Sequence, residues 1–465
     1  MSRALRFITG ALLASACATT RVTGDLHRVR DTVTSRASEL AFALPGRDDP
    51  TSAEVERILA EPLTPDGAAR LALLNNREVR ATLSEVGVAR GQFVQAGLLP
   101  NPEFEFEARD PGGAQPAQLD LGVEVNVSAM LLAPFRAGVA SSTLDAERWR
   151  AAGAILELGW STRVAFYEAQ ALQQKLELRL RALASHQAAY ETALELARVG
   201  NLPQLALANQ LATVESARLQ VAEAENAWLD AREALTRKLG LSGAHTHWTL
   251  AGVLEPVALP AATEGLEARA LDASLELAEL KSRAEAASRK VGLTKTEAWL
   301  PHLSAGLHGE RDGALWELGG HVTVGLPIFD RAQGRRLSSE SEYDALRSRT
   351  QVQEVQVRST VRATLNRLES AGRRAEHYRE RLLPARRRVL EETVRQYNAM
   401  QVSVFEVLAA ERAVTEAAVS QVDATLDAAK AKAALDLVLA GRSAPLALGS
   451  IPRSTTTSPE TSGGH

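Results

Sequence analysis

The stretch that decides the fold is residues 101–128, NPEFEFEARDPGGAQPAQLDLGVEVNVS. Apolar and polar residues alternate over about 102–110 and again over about 118–129, and the turn-rich segment Asp110-Pro111-Gly112-Gly113 lies between them. A period of two places the apolar side chains of a strand on one face and the polar ones on the other. The stretch therefore predicts two strands joined by a turn.

The same pattern returns in the second half of the chain. We predict strands over about 302–310 and 315–326, with a turn at Arg311-Asp312-Gly313. Each of the four strands has about the 9–11 residues that a tilted strand needs to cross a bilayer. Four half-buried strands of a soluble sheet are the alternative, but only two strand pairs are present, and long helical stretches separate them.

Membrane crossing, if it occurs, is expected to use these strands. After the N-terminus there is no run of 18 apolar residues, so we expect no helix to cross a bilayer. Strands in lipid must close into a barrel, and the smallest known barrels have about eight strands. One chain cannot close a barrel with four strands, whereas a homotrimer with twelve can.

Long helices fill most of the remaining sequence. No Gly or Pro occurs between Trp160 and Arg198, and an apolar seam with alternating spacings of four and three predicts coiled-coil packing there. The seam residues are Leu176, Leu180, Leu183, Gln187, Tyr190, Leu194 and Ala197. We expect this helix to run from about Ala137, and its length favours a rod or tube over a compact domain.

Two tight breaks turn these helices into hairpins. The first tip is expected at about 199–203, where Pro203 suits the first turn of a returning helix that ends before Gly240. The second tip is expected at about 398–402, between a helix that begins near Arg335 and one that ends before Gly441. Pro384 lies inside the outgoing helix and is expected to kink it.

The two halves follow one plan. Glu78-Val79-Arg80 and Glu279-Leu280-Lys281 open similar helical stretches, which run to Leu99-Pro100 and Leu300-Pro301 at the same offset. We divide the chain into a signal peptide (1–16), an N-terminal segment (17–64), a first repeat (65–243), a linker (244–261), a second repeat (262–441) and a disordered tail (442–465).

The N-terminus predicts export. Arg3 and Arg6 precede an apolar stretch, and small residues lead to Cys17, the only cysteine. The segment resembles a bacterial lipoprotein signal, which implies lipidation (palmitate) of Cys17, although Ala14 stands where such signals usually have Leu. An ordinary signal peptide with an incidental cysteine is the alternative.

Several function classes are disfavoured by composition. A net charge of -4 argues against nucleic-acid binding, and no Ser, His and Asp spacing suggests a catalytic triad, so we expect no enzyme. His245-Thr246-His247 does not complete a metal site, and three Met residues provide no Met-rich path, so we expect no metal and no cofactor. Arg386-Arg387-Arg388 is interpreted as a solvated helix face, with contact to an acidic partner as the alternative.

The order of these pieces resembles the TolC-like outer membrane efflux proteins over about residues 65–441. The matching motifs are Ala68–Asn76, Gln95–Pro102 and Val324–Asp330, which leads to Gly334. The resemblance implies a mainly α fold with a small β part: a trimeric twelve-strand β-barrel in the outer membrane of a Gram-negative bacterium, on a periplasmic α-helical barrel. It also implies an exit duct for small molecules or ions, docked to a periplasmic adaptor and an inner-membrane pump, RND type being favoured.

Gate residues follow from the resemblance only where this sequence matches the family. Tyr397 and Glu406 match the second tip, and Glu406 repeated three times would form a ring of carboxylates in a narrow pore. Met400 replaces a tip Gly, Val402 replaces a basic residue and Ala409 replaces a second acid. In the first tip Gly200 matches, whereas Leu205 and Ala206 replace polar partners. Gly200, Asn201, Met400 and Gln401 are the expected adaptor contacts.

Two alternatives remain at this point. A duct for polypeptide (type I) secretion would have the same fold, because the pump largely selects the cargo. A structural trimeric coiled coil on the cell surface would keep the long helices but has no need of a second strand pair at the same point of its repeat.

Overall fold

The computed structural model describes residues 21–40, 42–44, 52–109, 112, 118–260, 263–300, 302–312 and 315–443. The predicted signal peptide, Cys17 and nearly all of the predicted tail lie outside these residues. So do most of the first predicted turn, Gly313 of the second turn, and Pro301.

The first half of the described chain contains short helices, a strand pair and a long hairpin. Its elements are α1 (Thr23–Arg36), a 3-10 turn (Ser38–Leu40), α2 (Ser52–Leu59), α3 (Pro65–Asn75), α4 (Arg77–Gly97), β1 (Glu103–Arg109), β2 (Gln118–Asn126), α5 (Val127–Arg198) and α6 (Gln204–Leu239). The 72 residues of α5 span about 110 Å at 1.5 Å per residue.

The second half repeats this order. Its elements are a 3-10 turn (Gly243–Thr246), α7 (Leu266–Ala273), α8 (Leu275–Trp299), β3 (Leu303–Asp312), β4 (Leu315–Val324), α9 (Gln333–His377), a π turn (Tyr378–Leu382), α10 (Leu383–Asn398) and α11 (Val404–Leu439). Both halves therefore place a strand pair before a long helical hairpin. The predicted fold class, mainly α with a small β part in two repeats, is confirmed.

The four strands form one antiparallel sheet in the order β1-β2-β3-β4. Phe104 pairs with Val123, Val123 with Leu307, and Leu307 with Gly320, so the apolar positions of all four strands share one face. The two strand pairs thus join side by side, although a long hairpin separates them in sequence. Among the described strands, β1 and β4 each keep one unpaired edge.

The hairpin ends share one hydrogen-bond pattern. Asn201 N–H donates to Leu196 O over 2.9 Å at the first tip, and Gln401 N–H donates to Gln396 O over 2.9 Å at the second. Each turn contains a left-handed residue, which is Gly200 at φ 78° and Met400 at φ 59°. Leu241 and Arg442 make the same bond at the opposite ends of α6 and α11.

The Asn75-Asn76 pair of the first family motif closes the first hairpin onto the rest of the chain. Asn75 donates to the carbonyls of Leu239 and Gly240 over 2.9 and 2.8 Å, and Asn76 donates to Lys238 O over 3.0 Å. These side chains satisfy carbonyls that the end of a helix leaves without partners. The motif is therefore a clamp at the C-terminus of α6.

The N-terminal segment packs back onto the helices through a buried carboxylate. Asp25 of α1 is 3% exposed; it contacts the Arg148 guanidinium of α5 and lies 3.5 Å from Nε of Arg90 in α4. Val29 and Val33 extend this contact into the largest apolar core of the described chain. Since a buried charge needs paired partners, the three side chains fix where α1 lies.

Several local predictions were wrong. Val127 and Ser128 begin α5 instead of ending β2, because the Asn126 side chain accepts from Ala129 N–H and caps the helix. Arg311 and Asp312 continue β3, where they pair with Trp316 and Leu315. Pro203 is the N-cap of α6 and precedes its first turn.

The outgoing helix of the second hairpin changes its hydrogen-bond pattern next to Pro384. A π turn over Tyr378–Leu382 precedes it, and Leu383 N–H donates to Tyr378 O, five residues back. Proline lacks an N–H and crowds the preceding turn, and a widened turn accommodates both effects.

The predicted coiled-coil seam is only half-buried in one chain. Leu180 is exposed, while the neighbouring positions His186 and Ala193, seven residues apart, are buried. The predicted seam residues therefore lie next to the residues of α5 that pack against its neighbouring helices, and are not themselves those residues.

One described helix, α5, contains a segment that is long and apolar enough to cross a membrane by length and composition alone. The sequence predicted none, because that prediction considered only unbroken apolar runs.

Candidate functional site

The apolar face of the sheet is open. Phe104 is 68% exposed and Leu318 is 88% exposed, and Phe106, Leu307 and Val322 are exposed beside them. Arg311, next to the loop between β3 and β4, is the one charged residue on this face within the described strands. A contiguous apolar face of this extent requires a cover, which is lipid or another protein surface.

The opposite face of the sheet is acidic. Its described side chains include seven carboxylates and one guanidinium, that of Arg109. The carboxylates are Glu103, Glu105, Glu107, Asp120, Glu124, Glu310 and Glu317. Arg109 is bound to Glu107 over 2.7 Å, which leaves the face strongly negative. Such a face attracts cations and repels anions.

The second hairpin tip presents the predicted gate residues. Glu406 lies in the first turn of α11 and is exposed, and no ion pair joins it to another described residue. Tyr397 lies in the last turn of α10 and is 42% exposed, and Met400 between them is 94% exposed. The structure thus leaves Glu406 free to face a pore or solvent.

The first tip exposes apolar side chains. Val199 and Leu205 are exposed on either side of Gly200 and Asn201. No side chain of either tip hydrogen-bonds to the other tip within the described chain. The residues expected to contact an adaptor, Gly200, Asn201, Met400 and Gln401, are therefore all at the surface.

A ladder of polar contacts joins the two hairpins along α5 and α11. Glu168 pairs with Lys430 over 2.6 Å, Lys175 with Asp423 over 2.9 Å, and Arg179 with Glu416 over 2.6 Å. Ser185 donates to Glu411 over 2.6 Å. The residue numbers rise on one helix as they fall on the other, so α5 and α11 are antiparallel neighbours. Ala410, Ala417 and Ala424, spaced by seven, are buried and permit close packing.

Two helical surfaces have no such neighbour. α6 packs on α5, and α10 packs on α11, but α6 makes no substantial contact with α9 or α10 in the described chain. In α10 only Leu383 is buried. Arg386, Arg387 and Arg388 are exposed there, and no ion pair joins them to described residues. α5 is the outgoing helix of the first hairpin, and α10 belongs to the outgoing helix of the second. The open surface of α10 is therefore equivalent to the surface of α5 that contacts α11.

Sequence reasoning missed the histidines of the second strand pair. His308 and His321 lie on the acidic face with their ring centroids 5.9 Å apart. Their proximity follows from the β3–β4 register, which the sequence did not provide because Arg311 and Asp312 were assigned to a turn. His245, which the sequence did single out, lies 3.5 Å from Glu56, and no third potential ligand joins it in the described chain.

Comparison with known proteins gives a consistent result. The model of the outer membrane efflux protein family matches residues 68–241 and 266–441. The cobalt-zinc-cadmium resistance protein CzcC of Cupriavidus metallidurans is 24% identical over 395 residues, which cover 82% of this chain and 91% of CzcC.

Solved structures share the fold. The CmeC outer membrane channel of Campylobacter jejuni superposes with a TM-score of 0.70 at 16% identity, over 81% of this chain and 85% of that one. The open state of the MtrE outer membrane channel of Neisseria gonorrhoeae gives 0.67 at 16% identity, over 81% and 88%. At these identities the likeness is one of fold.

Proposed function

The chain belongs to the outer membrane efflux protein family, and from this premise we propose that three copies form a passive exit duct for cations across the outer membrane and periplasm. The observation that carries the proposal is the four-stranded sheet, apolar and exposed on one face, acidic on the other, and unpaired at both edges. Lipid would cover the apolar face. Only pairing with strands of other copies would give the edge strands their missing backbone hydrogen-bond partners.

The helical part supports the same assembly. Within one chain α5 contacts α11 through the polar ladder, whereas the equivalent surfaces of α6 and α9–α10 are open. In a ring of alternating repeats, α6 of one chain meets α9–α10 of the next, as β1 of one chain meets β4 of the next. Three chains would give twelve strands. They would also give twelve long helices, one outgoing and one returning in each hairpin, and together these would enclose a continuous tunnel.

Cations are the cargo that the charge of the sheet favours. Among the described side chains of each chain, seven carboxylates and one arginine line the face that would surround the barrel interior. The name of the similar protein CzcC, a cobalt-zinc-cadmium resistance protein, supports divalent metal ions as this cargo. In this proposal the duct performs no chemistry, a periplasmic adaptor docks at the hairpin tips, and an inner-membrane pump supplies the ions.

Lipidation of Cys17 fits the geometry of the N-terminal segment. Arg148, which contacts Asp25, lies 21 residues from the start of α5 (148 − 127), or about 32 Å from the sheet. Asp25 lies in the first turn of α1, and the six residues from Cys17 to Thr23, where α1 begins, span at most about 21 Å when extended. If this segment extends toward the sheet, a lipid on Cys17 would approach the periplasmic membrane surface. Palmitate labelling of wild type and Cys17→Ser tests it: equal labelling would exclude this site.

Channel formation is tested by single-channel recording. The full-length protein, extracted in detergent and added to a planar bilayer, is expected to give discrete conductance steps with cation over anion selectivity. Size-exclusion chromatography with light scattering is expected to give three chains per particle. A protein that is a monomer without detergent and gives no conductance would exclude the duct.

A further inference from the structure

Equivalent residues of the two returning helices are 200 positions apart. α6 begins at Gln204 and α11 at Val404 (404 − 204), and the two helices have the same length of 36 residues. The hydrogen bonds at the two hairpin tips have the same separation. The contacts that α11 makes with α5 can therefore be transferred, position by position, to α6.

Transferred to α6, two positions of the ladder are acidic and open. Lys430 and Asp423 of α11, which pair with α5, correspond to Asp230 and Glu223 of α6. Both of these carboxylates are exposed, and no ion pair joins either of them to another described residue. α6 thus presents free negative charge at the positions where α11 makes polar contacts.

Apolar side chains of α6 are also uncovered. Val419 and Ala429 of α11 are 6% and 3% exposed, whereas their equivalents in α6, Leu219 and Leu229, are 67% and 44% exposed. Within the described chain α11 packs against α5 on one side and α9–α10 on the other, while α6 has only α5 and α3 as substantial neighbours. The surface of α6 therefore lacks the second neighbour that α11 has.

The π turn over Tyr378–Leu382 sets the register of the opposing helix. Its hydrogen bond spans five residues instead of four, so it adds one residue to the outgoing helix, and α5 contains no such turn. Positions of α9 before the turn are therefore 199 residues after their equivalents in α5 (200 − 1). Glu168 and Lys175, the α5 residues of the ladder, then correspond to Arg367 and Arg374.

Burial supports this register. Arg367 and Arg374 are exposed, whereas the residues that follow them, Leu368 and Ala375, are 0% and 9% exposed. Arg367 makes no ion pair with a described residue, and Arg374 donates to the exposed Asp427 of α11 over 3.1 Å. A guanidinium has five N–H donors, so Arg374 keeps donors for a second carboxylate.

The two surfaces have complementary charge. Residues 367–381 contain five arginines and three glutamates, and residues 215–230 contain four carboxylates and one arginine. Each surface therefore repels a copy of itself and attracts the other. A contact between unlike surfaces of identical chains is the kind that closes into a ring.

We propose that α6 of one chain docks on α9 of a second copy through two charge pairs, Asp230 with Arg367 and Glu223 with Arg374. The inference deepens the proposed function and rests on it for the ring of chains. The charges also oppose the wrong order of hairpins, because docking of α6 on the ladder surface of α5 would place Asp230 against Glu168.

Cysteine cross-linking tests the register. Asp230→Cys/Arg367→Cys and Glu223→Cys/Arg374→Cys, purified as three-chain particles in detergent, are treated with a short bismaleimide and separated on denaturing gels. Because α6 makes no substantial contact with α9 within the described chain, a cross-link between these positions joins two chains. Both variants are expected to give covalent species of two and three chains.

The matched control keeps one cysteine and moves the other. Asp230→Cys/Arg381→Cys places the second thiol 14 residues further along (381 − 367), about 21 Å away, and is expected to give no covalent species. Each single variant controls for reaction of Cys17. Equal cross-linking in the control and the matched pairs, or none in the matched pairs, would overturn the proposed contact.

Charge reversal tests whether the first pair holds the chains together. Asp230→Arg places two cations opposite each other at every contact of the ring and is expected to lower the trimer-to-monomer ratio about tenfold at low salt, and less at high salt. Adding Arg367→Asp exchanges the charges and is expected to restore the ratio. Glu215→Arg/Arg367→Asp, which reverses a carboxylate 15 residues away (230 − 215), should not restore it. An exchange no better than Asp230→Arg alone would overturn the pair.

Conductance separates this contact from the duct. If wild type forms channels with three chains per particle but the matched pairs do not cross-link, the contact is wrong and the duct stands. If wild type forms neither trimers nor channels, the duct is wrong and the contact is wrong with it.

Discussion

At the scale of single residues, the two hairpin tips differ in how they make the same turn. Gly200 and Met400 both adopt a left-handed conformation, at φ 78° and 59°. Glycine does so without strain, whereas a residue with a Cβ loses about 1–2 kcal/mol there. The second tip, which contains Tyr397 and precedes Glu406, is therefore the less stable of the two turns.

Glu406 provides a prediction about selectivity. Three copies at a narrow pore would repel each other and attract cations, so Glu406→Gln is expected to lower cation selectivity and weaken block by multivalent cations. Single-channel recording with salt gradients measures both. Glu391→Gln, an exposed carboxylate on α10, is the matched control. Unchanged selectivity in Glu406→Gln would exclude the ring of carboxylates.

His186 provides a prediction about pH. It is buried on α5, lines a cavity of about 210 Å³ between α5, α6 and α11, and its Nδ1 has no hydrogen-bond partner among the described residues. Burial lowers its pKa; Arg412 acts in the same direction and Glu411 acts against it. The folded chain therefore protonates His186 only at a lower pH than the unfolded chain, which protonates it below about pH 6.5.

Stability is thus expected to fall as the pH drops below about 6.5, since the unfolded state then binds more protons. His186→Gln removes this contribution, so its melting temperature should change less than that of wild type between about pH 7.5 and 5. Circular dichroism melts measure this, with the exposed His27→Gln as control. Identical pH profiles for wild type and His186→Gln would contradict the assignment.

At the scale of helices, the ladder between α5 and α11 holds the two hairpins of a chain side by side. The hydrogen bond from Arg179 lowers the pKa of Glu416, so this pair stabilises the fold above the ordinary pKa of a glutamate. Its contribution is lost as the pH falls through the lowered pKa. Half of the Glu416 side chain is exposed, so solvent screens the interaction.

A double-mutant cycle measures the interaction energy between Arg179 and Glu416. Arg179→Met, Glu416→Gln and their combination are expected to give a coupling energy of about 0.5–1 kcal/mol that decreases with salt. The matched control is Arg218–Glu215 on α6, which is exposed on both sides and should give about 0.3–0.5 kcal/mol. A smaller coupling for Arg179–Glu416 than for this control would mean that the ladder does not join the hairpins.

At the scale of the whole molecule, the single chain is incomplete in two matching ways. The sheet has unpaired edges at β1 and β4, and the helical layer has open surfaces on α6 and α10. Exposed strand edges invite pairing with other chains. In the proposed duct, placing identical chains side by side in a ring would cover both the strand edges and the open helical surfaces.

Charge placement on the two faces of β4 tests this arrangement. Leu318→Lys puts a charge on the apolar face near the middle of the strand and is expected to cost about 2–4 kcal/mol per chain in lipid. Glu317→Lys, its neighbour on the acidic face, is the matched control and should assemble normally. Assembly is measured by comparing the mobility of heated and unheated outer-membrane fractions on SDS gels. Equal assembly of both variants would mean that lipid does not cover the apolar face.

Most of the architecture was predictable because it depends on local pattern. Alternation over residues 102–110 and 315–326 and uninterrupted helical stretches identify strands and hairpins without any long-range contact. Boundaries were harder: Val127 continues the alternation of β2 but belongs to α5, because the Asn126 side chain caps that helix. The gate residues came from resemblance, and whether they gate remains a prediction.

By itself, the sequence determined the duplicated order of elements, the apolar and polar faces of each strand, and the tight breaks, since all of these follow from a residue and its near neighbours. Only the tertiary structure decided that β2 pairs with β3, that α5 lies against α11, and that Asp25 reaches Arg148. These contacts join residues more than a hundred positions apart. Their register depends on how the whole chain packs, and for the same reason His321 and Glu124 meet only in the folded molecule.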